Sequence, residues 1–270
     1  MSANWSAIIA GDYEMVMPLT WKRKYGISYL YQPAFIQQGG IYGKKKPDTA
    51  TVKRFIELAM QHFRFAECTL NYSNAIPAGK DLKHSLWNNY ILNIENNYES
   101  ISGNYDAYIR QRLNRLKKFN HQYIVSHNHQ KAITIYKKLY GTRMSGIRGK
   151  DYNNFATLCD HYAGKKRTIV REVWDETGKT LLAMALFLKD EKRLYNIASS
   201  VTDIGRKKLA NYFLYDAVIR EFSGKGLVLD FEGSDIPGVA YFYEKWKDGN
   251  EPYPFIKWNH LPAPVKWLKK

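Results

Sequence analysis

The chain has 270 residues, a formal net charge of +16, 45% hydrophobic content and 15% aromatic content, enough apolar material for one large domain or two modest ones and too much for a disordered polymer. Its two cysteines, Cys68 and Cys159, are too few and too far apart for a disulfide framework or a thiolate metal site, which points to reduced core residues in a reducing compartment. The opening MSANWSAIIAGDYE lacks a basic start followed by an apolar run, and no window approaches the roughly 20 apolar residues of a membrane span, so a cytoplasmic protein is expected.

In chain order, WSAIIA (5–10), YEMVMPL (13–19) and ISYLYQ (27–32) are short β-rich runs parted by turn residues, and they predict a three-strand meander. Val52, Phe55, Ile56, Ala59, Met60 and Phe63 then recur at helical spacing behind a capping Asp48, and the strand RFAECTL (64–70) follows. LWNNYILNI (86–94) reads as one further strand. Between residues 101 and 150, eleven Lys or Arg face one acid, Asp106. The densest part is a helix over 109–119 with Ile109, Leu113 and Leu116 as its apolar stripe. Its basic remainder, Arg110, Arg112, Arg115, Lys117 and Lys118, suits either a phosphate-bearing partner or a solvated face that keeps the protein soluble.

The second half repeats this order. Helical segments near 130–140 and 151–161 precede a meander of TIVREVW (168–174), LLAMALFL (181–188) and RLYNIASS (193–200). A helix within 206–222 and the strand GLVLDFE (226–232) follow. Three antiparallel strands, a helix and a strand, twice over, predict a mixed α/β (α+β) fold of two halves, drawn at 1–120 and 121–270, each a mostly antiparallel twisted sheet flanked by helices. Pro252, Pro254, Pro262 and Pro264 keep the end of the chain extended, and Phe255, Trp258 and Trp267 give it an apolar side that should pack back onto the body.

Two stretches carry chemistry. In LDFEGSDIPG (229–238), Ser234 or Asp235 is placed to cap a helix with Pro237 in its first turn. Asp230 and Glu232 alternate with Phe231 at the carboxyl end of a strand, so both should face the crevice where open α/β sheets hold ligands. Such a carboxylate can take a proton from an amine, or it can pair with one of the surplus Lys or Arg. In NIASSVTDIGRKKLANYFL (196–214), Arg206, Lys207 and Lys208 open a helix. Cations in a first turn oppose the helix dipole at a cost of a few tenths to about 1 kcal/mol. The sequence therefore predicts a phosphate cradle of Ser200, Thr202, Gly205, Arg206 and Lys207, unless the cations reach only solvent or neighbouring acids. His127 and His129 share a face only on a strand and have no acid or cysteine nearby in sequence, so no metal site is expected. The chain has no Gly-x-Ser-x-Gly elbow, Walker loop or Cys-x-x-Cys pair.

Meander, helix opening at an anion cradle, strand and helix together resemble the acyltransferase fold of the GNAT superfamily. Asp230, Phe231, Gly233 and Ser234 resemble the Asp-Phe-x-Gly-Ser of strand five in its FemAB-like branch. The resemblance implies an N-acyltransferase that moves an acyl or aminoacyl group onto an amine acceptor, with acyl-CoA or aminoacyl-tRNA as donor and no metal. Glu232 is then the first choice of general base and Asp230 the second. The edge from Asn196 to Ser200 would orient the donor's carbonyl, and Tyr31, Gln32 and Gln37 would line the acceptor cleft. Val201 to Lys207 offers one glycine where a coenzyme-A loop has two, and only the segment around 100–120 can supply part of the helical hairpin of tRNA-dependent members, so both donors stay open. The alternative is a non-catalytic RNA- or tRNA-binding protein on the same scaffold, held by Arg110, Arg112, Arg115, Lys117 and Lys118.

Overall fold

Alternating side chains build the first sheet. In the computed structural model, which describes residues 1–76, 82–144, 146–233, 236–263 and 266, β1 (Asn4–Ala10), β2 (Met15–Lys24) and β3 (Ile27–Tyr31) form the expected antiparallel meander, and the short β4 (Tyr42–Gly43) pairs with β2. Helix α1 (Thr49–His62) begins at Asp48, whose carboxylate accepts the Thr51 N–H at 2.7 Å. Its buried Val52, Phe55, Ile56 and Ala59 join Met17, Leu19 and Leu30 of the meander in one core. After α1, β5 (Phe65–Thr69) runs parallel to β3. The sheet order is β1-β2-β3-β5-β14-β6, where β6 is Lys83–Trp87 and β14, Tyr253–Asn259, comes from far along the chain.

The second sheet repeats the plan. It starts with β7 (Tyr90–Asn93); α2 (Tyr98–Gly103), α3 (Ala107–Leu116), β8 (Gln122–Ser126), α4 (His129–Tyr140) and α5 (Gly149–Ala163) lead to the meander β9 (Thr168–Trp174), β10 (Leu181–Lys189) and β11 (Arg193–Val201). Two helices, α6 (Asp203–Lys207) and α7 (Ala210–Phe222), carry the chain to β12 (Val228–Asp230), which is parallel to β11. Helix α8 (Pro237–Glu244) and β13 (Gly249–Asn250) follow, and the order is β13-β7-β12-β11-β10-β9-β8. In each sheet a meander is followed by helix and parallel strand, and the next neighbour, β14 or β7, is antiparallel. These are the two halves that the element order predicted.

Their boundaries differ from the expected cut at residue 120. One unit comprises Met1–Asn88 with Glu251–Lys270, the other Asn89–Asn250. The basic helix belongs to the second unit because Ile109 of α3, with Ile101 and Tyr105 before it, is buried in the core beneath α7. The expected single strand over 86–94 is two strands in different sheets, parted at Asn88 and Asn89. The buried Asn89 amide donates to Asp230 Oδ2 at 3.2 Å, and its N–H donates to Asn250 Oδ1 at 3.0 Å, which fixes the break. The returning tail enters the first sheet as β14, paired on both sides by β5 and β6. Trp258 is 1% exposed and donates its indole N–H to the Phe63 carbonyl at 2.7 Å. The expected contributions of Ser234, Asp235, Pro264 and Trp267 lie outside the described residues. Among those described, no helix is long and apolar enough to cross a membrane.

Because β14 fills the middle of the first sheet, Trp258→Ala should cost about 3–5 kcal/mol, read as a lowered midpoint in urea denaturation followed by circular dichroism.

Candidate active site

Strands β11 and β12 pair through only three rungs, Arg193↔Val228, Leu194↔Leu229 and Tyr195↔Asp230, and then part. From Asn196 to Ser200, the β12 side of β11 has no strand partner among the described residues. The register of β11 against β10 slips at Leu186/Phe187, which leaves Ile197 as the extra residue of a bulge. Hence Asn196 and Ser199, three apart, serve one cluster. The Asn196 amide donates to Tyr215 Oη at 2.7 Å and to Tyr243 Oη at 3.0 Å, and Ser199 hydrogen-bonds both hydroxyls. Burial raises the pKa of both phenols, so they stay protonated. Asn196 is 3% exposed, yet its Oδ1 meets no hydrogen-bond partner among the described residues, and the same holds for Ser200 Oγ. A buried acceptor left open in this way costs about 1–3 kcal/mol, a strong incentive to meet a ligand's N–H or O–H. Tyr140 of α4 closes the far end of the edge, where its hydroxyl takes the Val201 N–H at 3.3 Å.

Asp230 sits at the last rung, 1% exposed. Its Oδ2 accepts from Arg193 Nη1 at 2.8 Å and from Asn89, and its Oδ1 accepts the Glu232 N–H at 2.9 Å. Burial raises its pKa, while the Glu232 N–H, Arg193 and Asn89 oppose that rise. With both oxygens engaged, Asp230 is paired with Arg193, the structural alternative that the sequence also offered for it. Glu232 is half-buried, two residues beyond the strand, with φ of 58°. The left-handed turn ends the strand alternation that was expected to place both acids on one face. Burial pushes the Glu232 carboxyl up to about 8, the charge of Asp230 adds to the rise and Arg193 opposes it.

The predicted phosphate cradle forms differently. The helix begins at Asp203, not at Arg206, so Arg206 and Lys207 lie in its last turn, where cations suit the dipole. Thr202 caps it, accepting the Gly205 N–H at 3.0 Å and donating to the Leu182 carbonyl at 3.2 Å. A Cβ on Gly205 would lie 2.0 Å from that same carbonyl, so the glycine serves close packing. Arg206 pairs with Asp203 at 3.5 Å, Lys207 is exposed and Ser200 is buried. The Thr202 hydroxyl and the Gly205 N–H are thus engaged by the fold, the Ser200 hydroxyl is buried, and two surface cations remain beside them.

On the basic helix, Arg110 donates to the Tyr105 carbonyl and Arg112 to Tyr108 Oη at 3.1 Å, while Arg115, Lys117 and Lys118 are exposed. Aromatic partners do lie alongside. Arg112 stands 4.6 Å from the centroid of Tyr108, whose ring meets that of Tyr241 edge-on at 5.7 Å. In the first unit, Tyr31 and Gln32 line a cavity and Gln37 does not. Gln32 is held at both ends, its amide donating to the Ile36 carbonyl at 2.6 Å and its oxygen accepting the Thr69 N–H at 3.1 Å. This staple leaves Tyr31 as the better placed of the three residues for ligand contact.

No family model and no curated protein matches the chain in sequence. Solved structures are similar in fold. FemX is 12% identical over 98% of this chain and 90% of its own, with a TM-score of 0.62. The C-terminal domain of a putative lysylphosphatidylglycerol synthetase from Agrobacterium fabrum is 12% identical over 98% and 86%, at 0.55. L-PGS from Bacillus licheniformis is 11% identical over 98% and 87%, at 0.53. The chain therefore has a GNAT-like fold of the FemAB type.

A carboxyl whose folded pKa is raised to about 8 binds a proton that the unfolded chain releases near its ordinary value of 4.5. Stability should therefore fall as pH rises across that window. Glu232→Gln should flatten the fall, read as the slope of unfolding free energy against pH in chemical denaturation.

Proposed function

We propose that the chain is an N-acyltransferase whose chemistry lies in the second unit, where β11 and β12 part beside Glu232. That parting carries the reading, since it leaves a polar strand edge and a base of raised pKa two residues from the last shared rung. The donor is an acyl-CoA or an aminoacyl-tRNA, and the acceptor is an amine. N–H groups of the open edge hold the donor's carbonyl and receive charge from its oxygen as the amine nitrogen attacks the carbonyl carbon. Glu232 takes the proton that the amine sheds and returns it to the departing sulfur or ribose oxygen of the donor, which leaves as the thiol or alcohol. A base whose pKa lies near working pH is well matched to this task. Arg206 and Lys207 supply positive charge for donor phosphates through their side chains. Tyr31, beside the first unit's cavity, is proposed to touch the acceptor.

A second reading, a non-catalytic RNA- or tRNA-binding protein, is favoured by the Tyr108–Tyr241 rings beside Arg112. Aromatic faces among cations suit stacked bases and phosphates. Thermal-shift titrations with coenzyme A, acyl-CoA, charged tRNA and uncharged tRNA separate the two, because a transferase is stabilised by its donor and a pure binder by polynucleotide alone.

For the transferase, kcat/KM should rise with pH to a plateau above about 8. Glu232→Gln should abolish that limb and lower turnover about 10²-fold with the donor's thermal shift unchanged; undiminished turnover removes Glu232 from the mechanism. For the binder, each phosphate contact contributes roughly −0.7 to the slope of log K against log salt on a single strand. Arg115→Ala with Lys117→Ala should make the measured slope shallower in filter-binding titrations.

A further inference from the structure

The first unit has its own parting of parallel strands, after the rung Tyr31↔Glu67 of β3 and β5. The matching place in the second unit is lined by the polar side chains of Asn196, Ser199, Tyr215 and Tyr243. Here there is instead a cavity of about 460 Å³ at the carboxyl ends of β3 and β5. Met17, Leu30, Pro33, Ile36 and Cys68 form its apolar wall, and Trp5, 69% exposed, stands at its mouth. None of its lining residues carries a charged side chain, and a cation beside it, Lys22 Nζ, is seated 3.7 Å from the centroid of the lining Tyr31 ring.

The polar groups on the wall are turned to one another. Thr20 Oγ1 donates to the Tyr31 carbonyl at 2.7 Å, Tyr31 Oη to Ser2 Oγ at 3.0 Å and Tyr42 Oη to the Gln38 carbonyl at 3.0 Å. Thr69 Oγ1 donates to the Gln37 carbonyl, and both ends of the Gln32 amide are engaged. Burial pushes the Cys68 thiol up to about 12, so it too presents a neutral, soft surface. The volume falls in the range of small-molecule sites and corresponds to about fifteen waters. A charged group placed against this apolar wall would lose its hydration.

We infer that this cavity binds an uncharged small molecule through an alkyl or aryl portion of about ten to fifteen non-hydrogen atoms. Tyr31, given to the acceptor in the reading above, also lines this cavity, but binding here is read without turnover and so is tested separately from the transfer chemistry.

The test uses the full chain and the neutral probe N-phenyl-1-naphthylamine, whose emission rises in apolar surroundings. One equivalent should bind. 1-Decanol should displace it at a concentration at least tenfold lower than decanoate requires, even though the chain's net charge of +16 attracts the anion. Ile36→Glu, in a half-buried loop, should weaken probe binding at least tenfold. Ile124→Glu, on an exposed strand of the second unit, should leave it unchanged. Circular dichroism reports folding, and should Ile36→Glu unfold, Cys68→Phe, which fills the cavity with an apolar ring, should weaken the probe likewise. Equal displacement by decanoate, undiminished probe binding in a folded cavity variant, or emission that rises only when phosphatidylcholine vesicles are added would each overturn the assignment.

Discussion

An ion pair taken out of water decides where the second sheet opens. Arg193 and Asp230 close the short run of parallel pairing between β11 and β12, and Asn89 and the Glu232 N–H fill the remaining valences of the carboxylate. Breaking such a pair from one side leaves a buried charge without compensation, so the last rung is held firmly. Beyond it the chain turns left-handed at Glu232, and β11 runs on with one edge unpaired among the described residues. The raised pKa of Glu232 also follows, since burial beside Asp230 disfavours a second negative charge. Rigid pairing on one side and an open edge on the other are what a site needs if it is to hold reactants in a fixed geometry.

Duplication places two such partings in one chain and gives them different chemistry. The second unit lines its parting with an amide and three hydroxyls, one of whose acceptors is left open. The first unit leaves space, walls it with apolar side chains and ties its polar atoms to each other. A shared arrangement of strands thus fixes where a site can lie, and the side chains supplied at the strand ends fix what it can hold.

Much of the fold was legible because periodicity reports burial directly. The two meanders, α1 and the duplicated order all follow from apolar residues spaced for strands or helices. Three features were hidden for physical reasons. LWNNYILNI has one continuous β pattern, and only long-range partners reveal that it divides at Asn88 and Asn89. The break between α6 and α7 lies at Leu209, an apolar residue with φ of 57° that no local preference announces. Pro254 argued against a central strand, yet β14 has neighbours on both sides, and the proline's carbonyl still accepts the Leu70 N–H at 2.8 Å. In the site, the two acids were visible as a local excess of charge. Their different roles were not, because Arg193 and Asn89 reach Asp230 from distant parts of the chain. Nor could sequence show Tyr212 and Tyr241 beside the basic helix, since α7 and α8 carry them there.

The exchange of strands also sets an order of assembly. Residues 1–88 contain a meander, a helix and three further strands, but the place between β5 and β6 is taken by residues 253–259. As the ribosome extends the chain, the N-terminal unit must wait with an unfilled slot, exposing the edges of β5 and β6, until all of the intervening unit has been made. The domain that is translated first is therefore the one that is finished last, the reverse of the usual vectorial order.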